Sequence, residues 1–428
     1  NKTGRNVNAA GKVATYVHPS GVQVNFTYTG ADLSQVSNSL GRTLTLTTTA
    51  GKITNVSDGS RSVQYAFDAS GNLTTSTDAA AKATTFQYDL PGRITKMFYP
   101  SNPTVAFATN VYDSLDRVQT QTNANGKLYT YYFAGSRSEE VGPLGRSNVW
   151  YFDSAGTALK SGTALGKVTT NTYDGQTRLT KTVFPEGNSV DYTYDDAPCA
   201  AQQRCTHNPK TIVQNPKSGS GTPVLTRSFT YESAFNQVAS ATDANGQVAS
   251  FTYTAQGLPL VVTSPADPAA VQPVTTYGYT SYTASGFPAF YLQTSVTQKT
   301  SASNTVQTTT AYNASNKYVP QTVTVDAGTG KLNLATTLTF DTVGNPTGIN
   351  GPRTDVTDTV ASIFDAEPRL TQSTNALGKL SRNAFDADGR PIRSAAQVGT
   401  QWLVTCRSYS PSGKLLKVWG PAPPASDA

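Results

Sequence analysis

The 428 residues carry a formal charge of +6 and a charged fraction of only 14%, with 22 Tyr, 16 Phe and a single Met. Abundant Thr, Ser, Gly, Asn and Tyr with little Leu favours strands and turns over helices, so an all-β fold is expected. No apolar run approaches the roughly 18 residues that a membrane-spanning helix needs, and Lys and Arg are scattered singly, which argues against a membrane span and against nucleic-acid binding. The opening from Asn1 has no charged segment followed by an apolar run, so any signal peptide is expected to lie outside this sequence.

Taken in chain order, the elements repeat. Gly21 is followed seven residues later by Tyr28, and Phe67-Asp-Ala-Ser-Gly-Asn-Leu73 introduces an aromatic–acidic pair, Phe67 and Asp68, ahead of a turn and a β-former. Ala81 to Tyr88 keeps the seven-residue spacing without the Gly, and Tyr88-Asp-Leu-Pro-Gly-Arg-Ile94 repeats the signature with Asp89 and Arg93. Tyr112-Asp-Ser-Leu-Asp-Arg-Val118 brings Asp113; Thr122-Asn-Ala-Asn-Gly leads to Phe133; Gly145, Gly166 and Gly187 precede Phe152, Tyr173 and Tyr194. Tyr173 is followed by Asp174. The spacing loosens over 195–227 and again over 264–337, where Pro, Ser and Gly accumulate, although Tyr277-Gly-Tyr279-Thr-Ser-Tyr282 and Val323-Thr-Val325 still read as strands. Regular copies return at Phe340-Asp341, Phe364-Asp365 and Phe385-Asp386-Ala-Asp-Gly-Arg390. The Pro-rich residues 419–428 read as a tail or linker.

From Phe67 to Tyr194 the anchors step by roughly 20 to 24 residues, a length that two ordinary strands and two turns fill, so each unit reads as a β-hairpin. Asn125-Gly126 and Asn245-Gly246 suit a type I′ turn, and Asp in Asp-x-x-Gly is placed to accept backbone hydrogen bonds in the other turn. Alternation such as Phe86-Gln-Tyr88 puts large rings on one face, where copies from successive units are expected to form a ladder. A lone hairpin is marginal in water, so stability must come from neighbouring units in a continuous sheet.

Candidate chemistry is sparse. Asp195-Asp196 and Glu139-Glu140 are adjacent and would point to opposite faces of a strand, which argues against a paired acid and base. Asp386-Ala-Asp388-Gly389 imitates the start of a calcium loop, but Gln397 stands where the bidentate Glu is required. His18 and His207 leave few ways to build a hydrolytic triad. Cys199 and Cys205 in a turn-rich stretch suit a local disulfide and an oxidising compartment; with His207 they lack a fourth zinc ligand, and Cys406 has no evident partner. No catalytic residue, metal or cofactor is therefore expected. Off-register rings, Trp150, Tyr282, Phe290, Tyr291 and Trp402, are candidate contact surfaces for glycans or proteins.

The copies quoted above resemble the YD-repeat (RHS-repeat) family over about residues 10 to 418. The resemblance implies a long spiral sheet of hairpins that can close into a hollow shell, which bacterial members use to hold a C-terminal toxin and animal relatives use as an adhesion scaffold. Toxin-bearing members carry an Asp-Pro-containing cleavage signature after the repeats. Asp267-Pro268 is followed here by Ala-Ala, so no cleavage site is assigned. The expected function is a secreted or cell-surface, non-catalytic scaffold or shell that encloses or presents another polypeptide such as a toxin, the alternative being an adhesin or filament component. The implied partners are other parts of a larger parent protein or a toxin cargo, with self-association or glycan contact.

Overall fold

The computed structural model describes residues 4–195, 205–266, 271–299, 301 and 304–422. Among them are 36 strands and two single-turn 3-10 segments, Cys205–His207 and Ala314–Asn316. Every strand pairs antiparallel with the next in sequence, from Gly4–Val7 with Val13–Val17 to Gln401–Tyr409 with Leu415–Ala422, giving one uninterrupted meander. The last strand carries the pairing beyond the expected boundary at 418: Trp419 and Ala422 oppose Cys406 and Val404. Pro421 is tolerated there because the strand is an edge, where a missing N–H removes no ladder bond.

Both turns of the hairpin unit use one geometry. At Asn123–Lys127, the Asn123 N–H donates to the Lys127 carbonyl and the Gly126 N–H to the Asn123 carbonyl; Asp68–Asn72 repeats the pattern through Gly71. Gly126 and Gly246 have positive φ, +70° and +77°, whereas Asn125 and Asn245 do not. The expected type I′ turn is thus replaced by a type I turn closed by one left-handed residue, a three-residue loop that leaves the side chain before Gly in ordinary space. In the variant copies Asp116 and Thr177 hold that left-handed position with φ near +60°.

The sheet is a wall rather than the shell of a core. Its solvent-accessible surface is 24547 Å², against roughly 16,000 Å² for a compact monomer of this mass. Seven of the described hydrophobic residues are buried, and Phe290 alone among them is fully so.

The wall winds back on itself. The turn between the eighth and ninth strands meets the turn between the 31st and 32nd, 23 strands further on, where the Ala79 N–H donates to Glu367 Oε1 at 2.7 Å. The same edge-to-edge seam is made by Arg42 Nη1 on the Val343 carbonyl at 3.0 Å, the Ser101 N–H on Asp388 Oδ1 at 2.8 Å, and Asn125 Nδ2 on Ser412 Oγ at 2.6 Å. At the usual ~4.8 Å between strands, 23 strands make a loop of about 110 Å, or about 35 Å across. The fold is therefore an all-β spiral of hairpins.

Candidate functional site

The regular repeats close through their acidic residue, their basic or amide residue and a ring. Asp68 Oδ1 accepts the Asn72 N–H and its Oδ2 the Asn72 side-chain amide, both at 2.9 Å. Asp341 holds Asn345 in the same way, at 2.8 and 2.7 Å. In Asp113–Arg117, Asp174–Arg178, Asp365–Arg369 and Asp386–Arg390, the backbone N–H of the Arg donates to Oδ1 and its Nε to Oδ2. Asp89 departs from the pattern: both its oxygens accept from the Arg93 guanidinium, at 2.8 and 2.7 Å, and Oδ1 also accepts the Leu90 N–H at 2.8 Å.

The guanidinium then reaches the next unit. Arg93 lies over Tyr112 at 5.2 Å, Arg178 over Tyr194 at 4.7 Å, Arg369 over Phe385 at 5.0 Å and Arg390 over Tyr409 at 5.0 Å. In each the cation faces the electron-rich face of the ring, which attracts it. Tyrosine hydroxyls make a second link: Tyr88 donates to the Leu73 carbonyl at 2.9 Å, Tyr112 to Ile94 at 2.6 Å and Tyr173 to Ala158 at 3.2 Å. Rings of successive repeats are thus joined through cations and carbonyls. Among the described residues ring–ring contacts occur only between Tyr99 and Phe107 and within a cluster of Tyr282, Phe290, Tyr312 and Tyr318, which corrects the expected aromatic ladder. The physical reason is spacing: in the regular repeats two ring-bearing strands, such as Val168–Tyr173 and Ser189–Tyr194, flank one that carries no ring, Leu179–Val183, so the long basic side chains fill the gap.

Sequence reasoning missed a bulge residue. Register shifts beside the anchors at Phe67, Tyr88, Tyr173 and Phe364. The extra residue is Thr74, Thr95, Thr180 or Thr371, whose hydroxyl donates to the carbonyl just before the ring at 3.0–3.2 Å. A Thr recurring seven residues after the ring was the available signal; it satisfies a carbonyl that the bulge takes out of the ladder. Also missed was the position three residues after the ring. In the second spiral turn it is held by Val343, Glu367, Asp388 and Ser412, which make the seam bonds given above.

These contacts set the electrostatics. The Asn72 amide holds the Asp68 carboxyl below the usual carboxylate range, and the Arg93 and Arg117 guanidinia do the same for Asp89 and Asp113. For Asp174, Asp341 and Asp365, desolvation is the largest single influence and pushes upward; backbone N–H groups and the paired side chain together outweigh it, and the carboxyls remain low. Burial pushes the Tyr88 and Tyr194 hydroxyls up, which suits their role as donors to carbonyls.

The off-register rings separate. Phe290 is fully buried, so it offers no contact surface. It packs on Tyr318 at 5.0 Å and Tyr282 at 6.0 Å, while Tyr291, half-buried, donates its N–H to the Ser20 carbonyl across the seam. Trp402 is half-buried beneath Arg382, and Trp150 is half-buried in the strand Ser147–Phe152. The Cys199–Cys205 pairing, Asp196 and Asp267-Pro268 involve positions outside the described residues, and Cys406 is a free thiol. Among the described residues no three His, Cys, Asp or Glu side chains gather to hold a metal ion, and no helix is long and apolar enough to cross a membrane.

A family model described as Teneurin YD-shell matches residues 21–401. No curated protein matches the chain. Among solved structures, the TcdB2-TccC3-Cdc42 complex is 12% identical with a TM-score of 0.42, over 94% of this chain and 28% of that one. TcdB2-TccC3 without its hypervariable C-terminal region is 11% identical with a TM-score of 0.42, over 94% and 29%. A Photorhabdus luminescens Tc holotoxin pore carrying a TccC3 mutation is 11% identical with a TM-score of 0.37, over 94% and 27%. The chain thus spans under a third of the length of these proteins.

Proposed function

Because the chain belongs to the Teneurin YD-shell family, we propose that it is an exported, non-catalytic length of shell wall that encloses or presents another polypeptide. The observation that carries this reading is the seam: a one-layer sheet returns to its own edge after 23 strands and is bonded there. A spiral about 35 Å across leaves, after about 10 Å of side chains and backbone, an interior of about 25 Å. That space suits an unfolded or small polypeptide, and a toxin is the cargo class that the family suggests. The carboxylates of the repeats are committed to turns and to the seam, which supports a structural role for them.

The second reading, a surface adhesin or filament, draws on the free rim beyond the seam. There the turn residues Leu144 and Leu165 are each 80% exposed, next along the edge from Asn125. Small-angle scattering of the purified chain separates the two. The shell predicts a compact, hollow pair-distance profile independent of concentration. A rod, or growth with concentration, would overturn it in favour of the filament.

A further inference from the structure

Beside the seam lies a half-open cavity of 370 Å³ that the shell reading does not use. Its floor is aliphatic, built by Val24 with Val36 and Leu44, which are opposed on neighbouring strands. Its wall is cationic, with Arg42 and Arg61 from the first spiral turn and Lys317 from the second. Arg61 is neutralised by Asp58 at 2.8 Å. Arg42 and Lys317 are not: they donate to the Val343 and Thr342 carbonyls at 3.0 and 2.5 Å, and neither forms an ion pair among the described residues.

A carbonyl is a neutral acceptor, so both cations keep their full charge, and each retains further N–H donors. Two uncompensated charges in the wall of a partly enclosed cavity draw in an anion. The aliphatic floor disfavours a strongly hydrated anion such as phosphate, since filling the cavity with one would bury apolar surface against water-seeking oxygens. What satisfies both walls is a single anionic head on an apolar body.

We propose that this cavity binds a small amphiphilic carboxylate, its head between Arg42 and Lys317 and its chain on Val24, Val36 and Leu44. Such a ligand joins the two spiral turns and staples the seam. The proposal does not depend on what the wall encloses.

The test is calorimetric titration of octanoate into the purified chain, with octanol and inorganic phosphate as comparators. Octanoate is expected to bind at one site, more tightly than either comparator, and less tightly as salt is raised. Arg42→Gln and Lys317→Gln should each weaken it about tenfold, the order of a lost charge-assisted hydrogen bond. Leu44→Gln, which leaves the seam bonds intact, should also weaken it. Bound octanoate should slow amide exchange at Ala79 and Ser101 along the seam. Octanol or phosphate binding as well as octanoate, or octanoate binding unchanged in Leu44→Gln or in both charge variants, would overturn the assignment.

Discussion

Phe385 and Phe290 show two ways of holding a ring in this sheet. Phe385 is half-exposed, covered on one face by the Arg369 guanidinium, and stands in a unit closed by its own Asp386–Arg390 pair. Phe290 is fully buried among other rings, next to the residue that bonds the second spiral turn to Ser20. The first arrangement is local, recurs along the chain and builds sheet; the second occurs where two distant stretches meet and builds the spiral. A wall can therefore be assembled from weak, repeated contacts, but its closure draws on concentrated apolar burial.

The largest expected effect is on that closure. Phe290→Ala should cost about 3–5 kcal/mol, as for other fully buried rings, while Phe385→Ala should cost about 1–2 kcal/mol for a ring only partly withdrawn from water. Hydrogen exchange read along the chain should show the first variant losing protection at Tyr291 and the seam amides, and the second only in its own hairpin. Equal and equally local losses would erase the distinction.

Next comes a pair of glycines with similar backbone angles. Gly21 has φ +82°, and a Cβ there would lie 2.5 Å from the Ala289 carbonyl oxygen; Gly246 has φ +77° and open space. Gly246→Ala should cost about 1–2 kcal/mol from the left-handed conformation alone. Gly21→Ala should cost about 2–5 kcal/mol, because the seam must also shift. Melting temperatures of the two variants measure the seam's share by difference; equal values would mean that it yields freely.

The smallest effect is acid loosening of the repeats. Asp68, Asp89, Asp113, Asp174, Asp341 and Asp365 all titrate below their unfolded values. Their contribution is complete above the unfolded pKa of about 3.9 and is lost as pH falls through the lower folded values. Amide protection at Asn72, Arg117 and Arg369 should therefore fall only in that acid window. The Ser410–Lys414 turn, capped by a hydroxyl at 3.1 Å, should not follow them. Parallel loss in all of these turns would mean that the carboxylates contribute nothing particular.

The hairpin period, the continuous antiparallel sheet and the family were legible in the chain, because ring, Asp, turn and Arg are local features that recur at a fixed spacing. Asp68, Asp113 and Asp386 need only neighbours within four residues to make their bonds. The bulge Thr was equally local and could have been read from its constant offset.

The seam lay beyond such reading. Glu367 and Asp388 sit in turns like any other, and nothing in their own repeats marks Ala79 or Ser101 as partners 288 and 287 residues away. Phe290, off the repeat register, resembled a surface ring until the second spiral turn was laid against the first. Sequence by itself determined the unit and its pairing, since hydrogen bonds in a hairpin are set by the residues within it. The tertiary structure alone decided where the wall meets itself, because that depends on twist accumulated over 23 strands, a sum that no single repeat encodes.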